Sequence, residues 1–252
     1  MQLAATRTGV DFDYLLAQAR LESGLNPNAA ATTSSARGLY QFTRGTWLDT
    51  VRKHGAEHGL GWAADALKAG ADPETRAAIL DLRRDPEASA SMAAAFASDN
   101  AAYLQARIGR EPNATDLYMA HFLGPHGAAR FLNAKDADPG AVAAAAAPAA
   151  AVANVAVFTA RGGRARTLAE VYDRFTTKLA LPYSLFREGL EVGAEPLLRV
   201  SMTRTNLRQA ARARTQPLPE AGAGQGNYRP QTGNKLPQAA RLAYLLLAEL
   251  GA

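Results

Sequence analysis

One glutamate, Glu22, ends a run of apolar and small residues in the segment AQARLESGLNPNA. Leu15 and Ala19 precede it at helical intervals, so the three side chains share one face of a predicted helix. Burial disfavours the charged form of a carboxyl group and raises its pKa, which suits a general acid working near neutral pH. Glu22 is therefore a candidate catalytic acid. A solvated surface charge is the alternative, because glutamate is rarely fully buried unless it is paired.

A glycine, an amide and two aromatic residues follow in the segment Gly38–Phe42. The amide of Gln41 offers hydrogen bonds to sugar hydroxyl and N-acetyl groups, and the ring of Tyr40 offers a face for a sugar. Both residues are therefore candidate substrate-binding residues. The alternative is a simple helix start that contributes an aromatic side chain to the core.

The acidic residues near Glu22 are few, and this limits the chemistry. Glycosidases that use two carboxylates need a second acid on the opposite side of the sugar. Residues 23–48 contain no Asp or Glu, and Asp49 is the next acid along the chain. More distant acids that folding can bring near are Glu57, Asp99 and Asp116. A single-acid site is the simplest interpretation, and it suits attack by a hydroxyl of the substrate itself.

The elements that must position these residues are predicted to be helices. Capping residues and apolar periodicity predict helices that begin at Thr8 or Asp11, near Thr43–Thr46, at Glu74, at Glu87, and at Asn113 or Thr115. The first should end near Gly24, and a short helix should follow Pro125 as far as Leu132. Alternation with a period of two is almost absent, so the predicted fold class is mainly α.

The second half of the chain changes in character. The Ala-rich segment 136–160 contains Pro148 and lacks the large side chains that would pack a helix against a core, which argues against one long helix. A helix is predicted over 167–181. Beyond Pro182 the chain is basic, and a loop-like stretch rich in Arg, Pro and Gly is predicted at 203–237, with a final amphipathic helix at Pro237–Leu250. We therefore predict a domain at 6–181, with its core motifs in 8–132, and a tail at 182–252.

Composition narrows the classes of partner. A net charge of +5 and a pI of about 9.6 favour an anionic polymer such as a nucleic acid, an acidic membrane surface or a cell-wall glycan. The absence of Cys excludes disulfides and thiol nucleophiles. The most apolar runs, 141–153 and 242–250, are shorter than the roughly 20 residues that span a bilayer. The opening residues MQLAATRTGV have no signal-peptide pattern, so either a leader has already been removed or the protein travels by another route.

Two further patterns have simple interpretations. The segment HGAEH, at His54–His58, matches a zinc-peptidase pattern, but Gly55 weakens the continuous helix that such a site requires, so we predict no metal site. Near-helical arginines in the tail could bind nucleic acid, but aromatic residues for base stacking are scarce there. We interpret them as a solvated charge run and predict no nucleic-acid partner; they are Arg204, Arg208, Arg212 and Arg214.

Three segments, in their order along the chain, resemble the motifs of one enzyme family. ESGLNPNA and SSARGLYQF resemble the Glu-Ser-x-x-x-Pro-x-Ala and Gly-Leu-Met-Gln elements of the lysozyme-like lytic transglycosylases. YMAHFLGPHGA stands where that family has an Ala-Tyr-Asn-Ala-Gly-Pro element. The resemblance covers roughly residues 8–132. It implies a lysozyme-like helical domain of the goose-type or SLT-like class, followed by an additional C-terminal region.

The resemblance also implies roles for individual residues. Glu22 would be the single catalytic acid, while Ser34 and Gln41 match family residues that contact the substrate, and Tyr40 replaces the usual Met. Two residues depart from the third motif: His121 occupies the place of its Tyr, and Phe122 that of its Asn. Tyr118, one helical turn earlier, could supply the missing phenol. Whether Tyr118 or His121 assists the acid stays open here.

The activity implied is cleavage of the β-1,4 bond between N-acetylmuramic acid and N-acetylglucosamine in peptidoglycan, with formation of a 1,6-anhydro end. No cofactor is expected. Partners would be peptidoglycan strands and, through the tail, a secretion or flagellar assembly partner, at a periplasmic or cell-envelope location. A hydrolytic muramidase or chitinase-like glycosidase is the alternative enzyme, and a non-catalytic wall-binding module is the alternative outside enzymes.

Overall fold

The computed structural model describes residues 1–32 and 34–191, and helices dominate this part of the chain. Two short 3₁₀ helices, Gly55–His58 and Leu82–Arg84, accompany the α-helices. The α-helices are Gln2–Thr8 (α1), Phe12–Ser23 (α2), Arg44–His54 (α3), Gly61–Lys68 (α4), Pro73–Asp81 (α5), Pro86–Ile108 (α6), Ala114–Leu123 (α7), Pro125–Ala137 (α8), Ala143–Ala146 (α9), Pro148–Ala153 (α10), Val155–Phe158 (α11) and Leu168–Glu191 (α12). The prediction of a mainly α fold is confirmed.

Local capping chemistry sets the helix boundaries that the sequence predicts. Asp11 accepts a hydrogen bond from the backbone N–H of Tyr14 at 3.0 Å and begins α2, and Gly24 ends it in the left-handed conformation. Thr43 caps α3, and Asn113 forms a reciprocal capping box with Asp116 at the start of α7. The predicted positions of α2, α3, α5, α6, α7 and α8 are confirmed to within a few residues.

The core forms around α6, which is the longest fully packed helix. Its alanines, among them Ala90, Ala94 and Ala97, are almost fully buried, so neighbouring helices approach its backbone closely. The helices α1, α3, α7 and α8 all contact it. Large side chains fill the space between these helices, and Trp47 also donates a hydrogen bond from its indole N–H to the carbonyl of Ile79 at 2.7 Å.

Several elements differ from the sequence predictions. The helices α1 and α4 are not predicted, because α1 is short and depends on packing its buried residues Ala4 and Ala5 against α6. The last described helix, α12, continues past Pro182, where the sequence predicts a change of character. Val171 and Phe175, in the first half of this helix, are fully buried and pack in the core.

The Ala-rich segment forms three short helices, α9 to α11, as expected for a sequence interrupted by proline. The stretch predicted at 203–237, the tail arginines and the amphipathic helix at Pro237–Leu250 lie outside the described residues. Among the helices of residues 1–32 and 34–191, none combines the length and apolar character that crossing a bilayer requires.

The loop between α2 and α3 packs against the backbone of residue Arg83. Gly38 has a φ of +79°, and an added Cβ would lie 1.7 Å from the carbonyl oxygen of Arg83. The guanidinium of Arg83 donates hydrogen bonds to the carbonyls of Ser35 and Phe42 at 2.7 and 3.2 Å. Burial, together with the nearby charges of Arg37 and Arg44, lowers the pKa of Arg83 to about 10. Arg83 therefore holds the loop at two points, Ser35 and Phe42.

We predict that Gly38→Ala destabilises the protein much more than Gly59→Ala. Gly59 has a similar φ of +81°, but no atom lies within 4 Å of its added Cβ. Gly59→Ala should cost only the left-handed backbone strain, roughly 1–2 kcal/mol. Gly38→Ala adds a backbone clash, and its total cost should reach about 3 kcal/mol or more. Urea denaturation measures both free energies of unfolding, and equal losses would contradict the packing described for Gly38.

Candidate active site

A cleft of about 290 Å³ lies between α2, the loop before α3, α6 and the end of α7. Three residues predicted from the sequence line it: Tyr40, Gln41 and His121. Polar residues that were not predicted as site residues also line it, among them Gln18, Asp49 and Asn100. Apolar side chains, including Phe42 and Phe96, form the rest of its walls. Such a mixture of apolar walls and a few polar groups is typical of a ligand-binding site.

Glu22 is buried beside this cleft, with only 1% of its side chain exposed. Its Oε1 atom lies 3.0 Å from Nε2 of His121, whose ring lines the cleft. The predicted inward position of Glu22 is therefore confirmed. The histidine ring connects the buried carboxyl group to the space that a substrate would occupy.

Both residues proposed to assist the acid contact the same oxygen of Glu22. The phenol of Tyr118 donates a long hydrogen bond to Oε1, at 3.5 Å. The rings of Tyr118 and His121 are adjacent on α7, with centroids 5.7 Å apart. The approach of His121 Nε2 is closer but not aligned as a hydrogen bond, and within residues 1–32 and 34–191 this nitrogen has no other hydrogen-bond partner. The structure thus brings Glu22, Tyr118 and His121 together.

Three buried phenols lie in this part of the domain, and two of them, Tyr14 and Tyr118, interact with the charge of Glu22. Burial raises the pKa of Tyr118 well above its ordinary value, and the charge of Glu22 raises it further. The same two causes, in the same order, raise the pKa of Tyr14, and burial alone raises that of Tyr40. All three side chains are therefore neutral hydrogen-bond donors near neutral pH. The hydroxyl of Tyr40 has no hydrogen-bond partner among the described residues, although it is buried.

Hydrogen bonds from two side chains, Ser23 at the end of α2 and Gln41 within the loop, hold the loop from Gly38 to Phe42 in place. Gln41 has a φ of +47°, and its amide donates hydrogen bonds to the carbonyls of Gly38 and Ala29 at 2.8 and 3.1 Å. The hydroxyl of Ser23 lies 2.8 Å from the carbonyl of Leu39. Gln41 therefore shapes the loop as well as lining the cleft. Ser23 directly follows Glu22 in the sequence, which could have drawn attention to it, but its hydrogen bond to the loop was not predicted.

Two other predicted residues lie away from the cleft wall. The half-buried Ser34 accepts a hydrogen bond from the backbone N–H of Ala36 at 3.2 Å, which stabilises a turn in the loop. Phe122 is fully buried, and its ring centroid lies 5.0 Å from that of Phe175. Phe122 is a core residue, with no exposed surface for a substrate. A substrate contact by Ser34 stays a prediction.

The HGAEH segment does not form one continuous α-helix. The helix α3 ends at His54, and the following residues form the 3₁₀ helix. His54 Nε2 lies 2.7 Å from Oδ2 of Asp99, and Lys53 Nζ lies at the same distance from that atom. Burial acts to raise the pKa of Asp99, but the hydrogen bonds from Lys53 and His54 hold it below its ordinary value. In the part of the chain that the structure describes, no three His, Asp or Glu side chains are grouped to hold a metal ion.

We predict that the free energy of unfolding falls as the pH rises above about 10, the ordinary pKa of tyrosine. Tyr14, Tyr40 and Tyr118 all have raised pKa values in the folded state, so unfolding releases their protons in this range. Below pH 10 this contribution to stability is fully present. The decline should be shallower for Tyr118→Phe, measured by urea denaturation between pH 8 and 11. Identical slopes of the free energy of unfolding against pH for the variant and the natural protein would contradict the burial of the Tyr118 phenol beside the charge of Glu22.

A comparison with known protein families agrees with this geometry. Residues 1–121 match the family model described as the transglycosylase SLT domain. The matched range contains Glu22, Tyr118 and His121, and it covers the helices α1 to α6 and most of α7. The match, the lysozyme-like helical fold and the buried carboxyl group beside a cleft point to the same type of domain. The match over residues 1–121 supports a lysozyme-like lytic transglycosylase catalytic domain in this part of the chain.

Proposed function

We propose that this protein cleaves the β-1,4 bond between N-acetylmuramic acid and N-acetylglucosamine in peptidoglycan and leaves a 1,6-anhydro end. The observation that carries the proposal is the buried carboxyl group of Glu22, in contact with a histidine that lines the cleft. The family match over residues 1–121 supports action on peptidoglycan. The reaction needs one group that acts first as an acid and then as a base, and no cofactor.

The steps follow from one carboxyl group. Protonated Glu22 gives its proton to the glycosidic oxygen as the bond between that oxygen and C1 of the muramyl sugar breaks. The resulting carboxylate then takes the proton of the muramyl 6-hydroxyl as this oxygen bonds to C1. Glu22 ends protonated, and no water is consumed. The neutral phenol of Tyr118 and the ring of His121 stabilise the carboxylate between the two steps.

One observation favours testing hydrolysis as a second candidate reaction. Asp49 lines the same cleft as His121, so a second carboxylate is present near the substrate site. Its side chain is 70% exposed and pairs with Arg52 at 2.5 Å, however, whereas Glu22 is buried. Solvent and the arginine therefore already contact the Asp49 carboxylate, whereas the Glu22 carboxyl group is shielded from solvent. We therefore favour the single-acid reaction.

We predict that Glu22→Gln abolishes cleavage of purified peptidoglycan, with a loss of about 1,000-fold or more, because the amide can neither give nor accept the proton. Mass spectrometry of the products should show muropeptides lighter by one water than the hydrolytic products. The matched control is Glu57→Gln, which changes an exposed glutamate of the HGAEH segment and should leave the rate unchanged. Products with reducing ends would instead establish a hydrolase.

The same assay separates the alternatives. Loss of cleavage in Asp49→Asn, together with reducing-end products, would identify Asp49 as the second carboxylate of a muramidase or chitinase-like enzyme. Binding to peptidoglycan without cleavage by the natural protein would establish a non-catalytic wall-binding module. Either result would overturn the proposed reaction.

We predict that removal of the imidazole, in His121→Gln, lowers kcat more than removal of the phenol, in Tyr118→Phe. The nitrogen of His121 lies 3.0 Å from Oε1 of Glu22, against 3.5 Å for the phenol oxygen, and the histidine also faces the cleft. Loss of a polar group close to the reacting carboxyl group typically lowers kcat about 100-fold, and we expect this for His121→Gln. Loss of the more distant phenol in Tyr118→Phe should lower kcat about tenfold. Steady-state kinetics on soluble glycan strands measure both effects. A larger loss for Tyr118→Phe would assign the assisting role to the phenol.

The proposed substrate also implies a place of action. Peptidoglycan lies in the cell envelope, and we propose a periplasmic or cell-envelope location on that ground. The predicted partner of the tail, in secretion or flagellar assembly, depends on residues 182–252. Most of these lie outside the described part of the chain, so this partner stays a prediction.

A further inference from the structure

Gln18 is a buried polar residue of the cleft to which the proposed reaction assigns no role. It precedes Glu22 by one helical turn on α2, and it is 5% exposed. Its Nε2 atom lies 3.3 Å from Nδ1 of His121. Its carbonyl oxygen, Oε1, is buried and has no hydrogen-bond partner within the described residues. Because Gln18 lines the cleft, a bound ligand can supply the donor that this oxygen lacks.

The orientation of this amide determines which nitrogen of His121 carries the proton. When the amide N–H donates to Nδ1, that nitrogen is unprotonated, and Nε2 carries the hydrogen next to Glu22 Oε1. The reversed amide would accept from a proton on Nδ1, and the lone pair of Nε2 would then lie 3.0 Å from a carboxylate oxygen. That arrangement is repulsive while Glu22 is ionised. The observed orientation is therefore the one that suits the carboxylate.

We propose that Gln18 is a substrate-contacting and positioning residue. Its Oε1 accepts a hydrogen bond from a hydroxyl or N-acetyl N–H of a sugar in the cleft, and its amide N–H holds His121 with the proton on Nε2. This rests on the proposed function of Glu22. Sugar binding satisfies the unpartnered oxygen and so fixes the amide orientation that keeps the proton on Nε2 of His121, the nitrogen nearest the carboxylate.

The first test is spectroscopic and does not depend on activity. ¹⁵N-histidine NMR of the full chain reports which ring nitrogen is protonated, and the signals of His121 are assigned with His121→Gln among the 4 histidines. In the natural protein with a neutral His121 ring, we expect the proton on Nε2. Gln18→Met removes the donor and should shift the Nδ1 signal, whereas Gln105→Met, at an exposed position of α6, should not. A proton on Nδ1, or equal spectra for the two Met variants, would overturn the proposal.

The second test measures the contact with the sugar. A tetramer of N-acetylglucosamine is titrated into Glu22→Gln protein, with and without Gln18→Met. Loss of one hydrogen bond to the sugar should weaken binding about tenfold. Unchanged affinity would overturn the substrate contact. An absence of cleavage by the natural protein, with both tests positive, would reject the proposed reaction but leave the role of Gln18 intact.

Gln18→Glu provides a further check on the same atoms. A carboxylate at this position accepts from Nδ1–H and cannot donate, so we expect a proton on Nδ1 of His121 in the NMR spectrum. A Nδ1 signal unchanged from the natural protein would show that residue 18 does not control the ring.

Discussion

The burial of one carboxyl group is the constraint on which this site depends. A charged carboxylate in a protein interior is strongly disfavoured unless polar groups stabilise it. Here the stabilising groups come from α7, which presents Tyr118 and His121 to Glu22 on α2. These two helices are far apart in the sequence, so the packing of the domain must hold them in a fixed relative position. The alanine-rich surface of α6 helps to secure this, because it contacts both α2 and α7.

Hydrogen bonds in the loop before α3 fix the geometry of the cleft in a similar way. Arg83 holds the loop at two backbone carbonyls, those of Ser35 and Phe42, and Gly38 permits the close approach to its backbone. Ser23 fastens the loop to the end of α2, and Gln41 links Gly38 and Ala29 within it. Hydrogen bonds to the backbone thus fix the positions of the loop residues that line the cleft. A site built in this way has its geometry in place before a substrate arrives, which reduces the cost of ordering on binding.

Local signals allowed much of this architecture to be predicted from the sequence. Capping residues such as Asp11 and Asn113 identify helix starts because their hydrogen bonds involve neighbours in the chain. The inward position of Glu22 follows from helical periodicity. Arg83 and Gln18 were missed because their partners, the loop carbonyls and His121, are distant in the sequence. Such pairings depend on how helices pack, and no spacing rule within one segment reveals them.

The two contacts of Glu22 fall on the same oxygen, and this makes the two halves of the carboxyl group chemically different. The hydrogen bond from the Tyr118 phenol and the nearby imidazole of His121 both favour negative charge on Oε1. A proton on the group is therefore held better on Oε2, which becomes the acidic edge of the side chain. The symmetry of an isolated carboxylate is lost before any substrate binds, and the direction of proton delivery is set by the packing of α2 against α7.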